Sequence, residues 1–236
     1  MTELKISPAA ESQTITVGSE QTPIHVVDGL LVDLDPIIHQ ACTSADFRPE
    51  DRTKYPGVRA ELPSDYAQAV LSFIAPTLRD LYRVPPGLRP TLKAGYFSLV
   101  SRTAEQLSPL QCMPHFDSHE PYYIAVMHYL NPGDFGGTSF YRHRPTGYEN
   151  ITAARRAGFI QSAQHHLATH GGRPAQRYID GSDDHFERLE SLPYRQNRLL
   201  VYPGTLLHSG NIDPSRDISQ DPRTGRLTAN LFINFE

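Results

Sequence analysis

The stretch HFDSHEPYYIAVMHYLNPGDFGGTSFYRHR, residues 115–144, decides the fold. It begins with His115-Phe116-Asp117 and continues into the apolar run YYIAVMHYL at 122–130. The turn cluster NPGD at 131–134 and the pair Gly136-Gly137 separate this run from a second short one, TSFYR at 138–142. Short apolar runs separated by Pro and Gly turns are typical of antiparallel strands. The stretch therefore predicts a β core whose first strands follow a His-x-Asp pair.

The rest of the chain predicts helices before this core and further strands after it. Residues 1–20 are polar and are expected to be loose, and residues 21–90 contain two helical patterns, beginning near Asp35 and near Ser64. Further β-like runs cover residues 92–100, 198–202, 205–208 and 226–235. We therefore expect a single domain over 1–236 of the α+β, mainly β class, with helical support at 21–90 and a barrel or jelly-roll core at 91–236. Residues 149–192 are predicted to be a helical insertion into that core.

The charge, hydropathy and cysteine content of the chain argue against several classes of function. The net charge of −4 gives no excess positive charge for nucleic acid or an anionic membrane. No segment approaches the roughly 18 consecutive apolar residues of a membrane span, and the N-terminus lacks the apolar core of a secretion signal. The two cysteines, Cys42 and Cys112, show no CxxC spacing. These features predict a cytoplasmic protein without a nucleic-acid or membrane partner, and they leave the oligomeric state open.

Three side chains form a candidate metal site. In a strand, residues i and i+2 point to one face, so His115 and Asp117 project together. His208 follows a strand and a Pro-Gly turn, and it would reach the same place from an adjacent strand. Two imidazoles and one carboxylate are the ligands of the facial triad that holds non-haem Fe(II) and leaves positions open. The same ligands also suit a catalytic zinc ion, and a His-x-Asp pair alone can be a surface feature.

The last predicted strand has one polar face. Arg226, Thr228 and Asn230 alternate with apolar residues. The simplest interpretation is an edge strand whose polar face is in solvent. The alternative turns this face into the barrel, where a buried guanidinium needs an anionic partner such as a carboxylate ligand. The candidate metal site upstream favours the second interpretation.

Together these residues resemble the Fe(II)/2-oxoglutarate-dependent oxygenase superfamily, with its HxD pair, distal His and Arg-x-Ser/Thr on the last barrel strand. The YLN and GG-x-x-F run within 115–144 is also similar, and the chain more closely resembles a bacterial branch known only as a domain of unknown function. The resemblance implies a double-stranded β-helix (jelly-roll or cupin-like) with His115, Asp117 and His208 on Fe(II). It also implies that Arg226 and Thr228 hold the distal carboxylate of 2-oxoglutarate, with O2 as oxidant and succinate and CO2 as products.

Some positions depart from the family pattern or have two interpretations. The segment 209–225 is longer than usual, which makes Arg216 and Arg223 alternatives to Arg226. Tyr96 could give the co-substrate a hydrogen bond or be a core residue. Arg142 and Arg144 could favour an anionic substrate or be solvated charges. The insertion at 149–192 is expected to form a lid or a wall of the substrate site.

The leading hypothesis is a dioxygenase that hydroxylates or otherwise oxidises a small molecule or an amino-acid derivative. The resemblance favours hydroxylation over halogenation because Asp117 is present. The second hypothesis is a cupin-like metal enzyme, an isomerase or a hydrolase, that does not use 2-oxoglutarate. The third is a binding module that has lost turnover. The charge of Arg226 discriminates between the first two, because only the oxygenase needs it.

Overall fold

The computed structural model describes residues 4–49, 54–169 and 171–236. Its three helices are α1 (Asp35–Thr43), α2 (Ser64–Leu81) and α3 (Ala153–Thr169). Its strands are β1 (Glu11–Val17), β2 (Thr22–Asp28), β3 (Arg48–Pro49), β4 (Gly57–Glu61), β5 (Pro90–Val100), β6 (Tyr123–Tyr129), β7 (Thr138–His143), β8 (Phe186–Leu192), β9 (Arg198–Pro203), β10 (His208–Gly210) and β11 (Leu227–Phe235). Among these described elements, no helix has the length and apolar character that crossing a bilayer requires.

The strands form two antiparallel sheets. The large sheet has the order β1-β2-β9-β6-β11-β5-β4-β3, and the small sheet has the order β10-β7-β8. Side chains from both sheets, including Tyr129, Phe140 and Tyr202, pack into one buried cluster between them. The expected α+β, mainly β class with a jelly-roll core is therefore confirmed.

The two N-terminal helices cover the outer face of the large sheet. The apolar residues of α2 recur at helical spacing, and Tyr66, Val70 and Ile74 are buried against that face. From β11, Leu231 and Ile233 enter the same cluster. Each fully buried aliphatic side chain of this kind contributes about 1.5–3 kcal/mol relative to an exposed one. This packing fixes the large sheet as a rigid support.

The opposite face of β11 is polar and lies inside the molecule. The strand is central, with β6 on one side and β5 on the other. Thr228 is 1% exposed and Asn230 is 6% exposed. Arg226, which immediately precedes the strand, is 2% exposed. The edge-strand interpretation is therefore wrong, and these polar groups face the space between the two sheets.

The N-terminal segment differs from expectation. Residues 1–3 lie outside the described residues, but β1 is a regular strand within the segment predicted to be loose. It pairs with β2 from Glu11↔Asp28 to Val17↔Thr22. Most of its side chains are exposed, so main-chain hydrogen bonds hold it to the edge of the sheet. For this reason its sequence lacks the alternating apolar residues by which a strand is predicted.

The insertion at 149–192 is only partly helical. Its first half forms α3, but its end, predicted as a second helix, is strand β8 paired with β7. A register shift places Tyr141 opposite Arg188 and Phe140 opposite Glu190, so Leu189 is an extra, bulged residue. Phe186, Leu189 and Leu192 recur every three residues along the chain, but Phe186 packs in a different apolar cluster from Leu189 and Leu192. A spacing of three is close to the 3.6-residue period of an α-helix, which is why the sequence indicated a helix here.

Candidate metal centre and its pocket

Backbone pairing brings the His-x-Asp segment beside β10. The main chains of His115 and His208 exchange two hydrogen bonds of 2.9 and 2.8 Å, and the Asp117 N–H donates to Gly204 O at 2.7 Å. The segment forms an isolated bridge and not the regular strand expected from its sequence. The alternation still holds, because Phe116 points away and packs edge-on against Phe159 of α3, with ring centroids 5.9 Å apart.

The structure brings the three predicted ligands together. One donor atom from each of His115, Asp117 and His208, hereafter the metal triad, lies within 4.8 Å of the others. His115 Nε2 is 3.8 Å from Asp117 Oδ1, and His208 Nε2 is 3.6 Å from Asp117 Oδ2. Ligands about 2 Å from a common ion lie about 3–4 Å from each other. The spacing therefore suits a single cation.

Protonation and hydrogen bonding also suit a metal. The Nδ1–H of His208 donates to Leu206 O at 2.9 Å, which directs the Nε2 lone pair toward Asp117. Burial lowers the pKa of His115 well below its usual value, and the positive charges of Lys54 and Arg59 act in the same direction. Asp117 Oδ2 is buried and accepts no hydrogen bond from the described residues. A divalent cation would satisfy this oxygen, so the triad fits a metal.

A glycine permits the close approach of the triad to β9. A Cβ added at Gly204 would lie 2.7 Å from Tyr123 Cδ1 and 3.4 Å from Asp117 Cβ. The Gly204 carbonyl also accepts the hydrogen bond of the Asp117 N–H. A larger residue would push the carboxylate away from the two imidazoles.

The metal triad and Arg226 line one cavity of about 340 Å³. Arg226 donates from Nε to Gly136 O at 2.6 Å and from Nη2 to Gly137 O at 3.1 Å. Its guanidinium lies over the Tyr129 ring, 5.5 Å from the centroid. It forms no salt bridge with any carboxylate of the described residues. A buried cation held only by carbonyls and a ring favours an anionic ligand.

A buried aspartate supports the carbonyls that hold Arg226. Asp217 is fully buried, and its two oxygens accept the Gly136 N–H at 3.0 and 3.2 Å. A Cβ at Gly136 would lie 1.4 Å from Asn211 O, so only glycine allows this approach. Both Asp217 and Asn211 belong to the long segment 209–225, which therefore braces the arginine site.

Tyr55, which sequence reasoning missed, stands where Tyr96 was expected. Tyr55 lines the cavity, and burial raises its pKa to about 12 against the opposing charges of Arg226 and Arg59. Tyr96 pairs with Asn230 in the sheet, but it is not among the lining residues. Because Tyr55 lies in an irregular Pro- and charge-rich segment, no periodic pattern marked it.

The alternative arginines point away from the cavity. Arg216 has a 45% exposed side chain and binds Asp134 at 2.5 Å, and Arg223 is 62% exposed beside Asp221. Of the three arginines considered from the sequence for this role, Arg226 is the one that is buried and lines the cavity.

Two further groups considered from the sequence also lie elsewhere. Arg142 binds Glu149 and Glu187, and Arg144 donates to Asp183 O. Neither arginine lines the cavity, so they are not the source of its positive charge. Cys112 is buried, and its thiol donates to Ser108 O at 3.5 Å.

The fold and the site define a class: a double-stranded β-helix protein with a His-Asp-His cluster that can hold a metal between its sheets. The sequence model of a protein family, described as a family of unknown function (DUF6445), matches residues 8–233. The chain belongs to this family, which agrees with the resemblance to a domain of unknown function. Comparison with the curated proteins gives no match.

Comparison with solved structures gives similar folds at low identity. HygX from Streptomyces hygroscopicus, solved with nickel and 2-oxoglutarate, is 12% identical with a TM-score of 0.48, covering 91% of this chain and 84% of that one. SnoN, a non-heme alpha-ketoglutarate-dependent epimerase from nogalamycin biosynthesis, is 12% identical with a TM-score of 0.49, covering 91% and 78%. An N-substituted L-amino acid dioxygenase from Burkholderia ambifaria AMMD is 10% identical with a TM-score of 0.42, covering 96% and 94%.

Proposed function

We propose that this protein is an Fe(II)/2-oxoglutarate-dependent dioxygenase that hydroxylates or otherwise oxidises a small molecule. The observation that carries the proposal is the shared cavity, which contains both the metal triad and a buried arginine without a carboxylate partner among the described residues. A cavity of about 340 Å³ suits small ligands, since such sites span roughly 300–1,000 Å³.

Each residue has a distinct task in this proposal. His115, Asp117 and His208 would hold Fe(II) on one face, and the other positions stay open toward the cavity. Arg226 would bind the distal carboxylate of 2-oxoglutarate, with a further hydrogen bond from Thr228. Bound iron supplies the oxidation of the substrate by O2, with 2-oxoglutarate converted into succinate and CO2. The apolar lining, including Phe232, keeps bulk water from the reacting groups.

The test is stepwise loading of the purified protein. Under anaerobic conditions, Fe(II) and 2-oxoglutarate should together give a weak visible charge-transfer band, and O2 should then release succinate. His208→Ala should lose metal binding, because only two ligands remain. Arg226→Met should keep the metal but lose the band at 2-oxoglutarate concentrations that saturate the wild type. Arg223→Met, which changes an exposed arginine three residues before Arg226, is the matched control.

A cupin-like isomerase or hydrolase is the second candidate, because the same donor set suits zinc. It predicts no succinate, no charge-transfer band and full metal-dependent activity in Arg226→Met. A protein that binds metal with no response to 2-oxoglutarate would favour this candidate and contradict the dioxygenase.

A further inference from the structure

The cavity is strongly cationic apart from any metal. Three basic side chains line it, Lys54, Arg59 and Arg226, whereas Asp117 is the one carboxylate that lines it among the described residues. Basic side chains therefore outnumber carboxylates among the described lining residues. A divalent metal and the dianion 2-oxoglutarate cancel each other, so loading the proposed cofactors would not remove this excess.

Lys54 lies beside the metal triad. Its ammonium group donates a hydrogen bond to the Phe116 carbonyl, between the two ligands of the His-x-Asp segment. It also lies over the Phe116 ring, 4.7 Å from the centroid. Lys54 forms no salt bridge with a described carboxylate, and burial lowers its pKa while the charge of Asp117 opposes that effect. A cation withdrawn from water in this way is stabilised when an anion binds next to it.

Arg59 extends the positive region from Lys54 toward Arg226. It lies over the rings of Tyr55 and Tyr96, at 4.6 and 5.2 Å from their centroids. Its charge acts on Tyr55 together with that of Arg226, and on His115 together with that of Lys54. Lys54 and Arg59 therefore adjoin the site that Arg226 would give to 2-oxoglutarate, and Lys54, which has no carboxylate partner among the described residues, remains for a second anion.

We propose that the primary substrate carries a carboxylate, which Lys54 binds beside the metal with Arg59 adding to the attraction. This inference rests on the proposed function, because it assigns Arg226 to the co-substrate. A small acid suits the space, since a cavity of about 340 Å³ must also contain 2-oxoglutarate.

The test compares carboxylates with their uncharged amides. Protein loaded with Ni(II), with and without 2-oxoglutarate, is titrated calorimetrically with butyrate, hexanoate and 4-phenylbutyrate, and with the three corresponding primary amides. We expect at least one acid to bind saturably, with its amide at least tenfold weaker. Lys54→Met should weaken the acid at least tenfold and leave the amide unchanged. Lys93→Met, which removes an exposed lysine paired with Glu236, should change neither.

Three results would overturn the proposal: equal affinity for an acid and its amide, acid binding that survives Lys54→Met, or no acid binding by protein that binds 2-oxoglutarate. Failure of the proposed function gives a different pattern. In that case 2-oxoglutarate itself does not bind to the Ni(II) protein, whereas Lys54-dependent binding of the acids remains and supports the anion site alone.

Discussion

At the scale of single residues, the position of Arg226 is determined mostly by main-chain groups. Gly136 and Gly137 offer their carbonyls to the guanidinium, and Asp217 holds the Gly136 N–H from behind. Asp217 also accepts the Asp213 N–H at 2.9 Å. The aspartate makes no direct hydrogen bond to Arg226, so in the proposed function it is a positioning residue for the 2-oxoglutarate site.

Asp217→Asn should weaken 2-oxoglutarate binding selectively. An asparagine turns one acceptor into an N–H donor facing the Gly136 N–H, which would displace the carbonyls that orient Arg226. We expect the Kd for 2-oxoglutarate on the Ni(II) protein to rise about tenfold, or about 1.4 kcal/mol, with unchanged metal affinity. Calorimetry measures both constants. Asp213→Asn, an exposed neighbour, should change neither, and an unaltered 2-oxoglutarate Kd in folded Asp217→Asn would contradict this role.

The sequence predicted some residues of the site and missed others for a physical reason. The metal triad could be predicted because few residue types ligate metals, and Arg226 because strand alternation places it with Thr228. Tyr55 and Lys54 have no such signal. They lie in an irregular segment, and only the tertiary fold brings that segment over the cavity.

At the scale of elements, a buried carboxylate fixes the β1–β2 turn to the rest of the molecule. Glu149 is fully buried and accepts hydrogen bonds from Ser19 N, Ser19 Oγ and Glu20 N at 2.9–3.0 Å. Arg142 donates to it from Nε and Nη2 at 3.0 and 2.5 Å. Five donors on one side chain thus join the β1–β2 turn, which follows the mostly exposed strand β1, to the end of β7.

Glu149→Gln should therefore destabilise the fold. The amide loses the charge that faces Arg142 and presents donors to other donors. We expect a loss of about 2 kcal/mol in the free energy of unfolding, measured by urea denaturation. Glu187→Gln is the matched control, because Glu187 binds the same arginine at 2.9 Å but is 37% exposed. Its effect should be below about 1 kcal/mol, and equal effects of the two variants would contradict the role of the buried clamp.

The Glu149 carboxylate also predicts how the free energy of unfolding depends on pH in acid. Burial alone would raise the pKa of Glu149, but the hydrogen bonds from Glu20, Arg142 and Ser19 outweigh it and lower the pKa below the usual 4.5. A lowered folded-state pKa gives stability that is present above pH 4.5 and is lost as the pH falls through the folded value. Stability of the wild type should thus decline below pH 4.5 more steeply than that of Glu149→Gln, and parallel profiles would oppose this account.

Elements with a buried face were predicted well, and elements without one were not. The strands β5, β6, β9 and β11 have apolar faces that the sequence shows directly. The strand β1 is held by main-chain bonds and by the Glu149 clamp, neither of which leaves a period in the sequence. In β8, which contains the bulge at Leu189, the apolar residues recur every three positions and so resemble a helical pattern.

At the scale of the whole molecule, the metal triad joins distant parts of the chain. His115 and Asp117 lie in the segment between β5 and β6, and His208 belongs to the small sheet. A metal bound to all three should therefore stabilise the folded protein. At a free Ni(II) concentration of 100 times Kd, linkage gives about 2.7 kcal/mol, which raises the melting temperature by roughly 5–10 °C.

Differential scanning calorimetry measures this shift. EDTA should reverse it, and His208→Ala should show no response to Ni(II). A shift of equal size in His208→Ala would place the stabilising ion elsewhere.

Because β11 lies between β6 and β5, the large sheet cannot be completed until late in the synthesis of this domain. On the ribosome, β5 and β6 emerge well before the strand that separates them, so each exposes an unpaired edge until β11 has emerged. A translation product that stops before Gly225 would lack the middle of the large sheet together with Arg226 and Thr228. Such nascent or shortened chains are expected to need chaperone protection and to aggregate, with no partly active form.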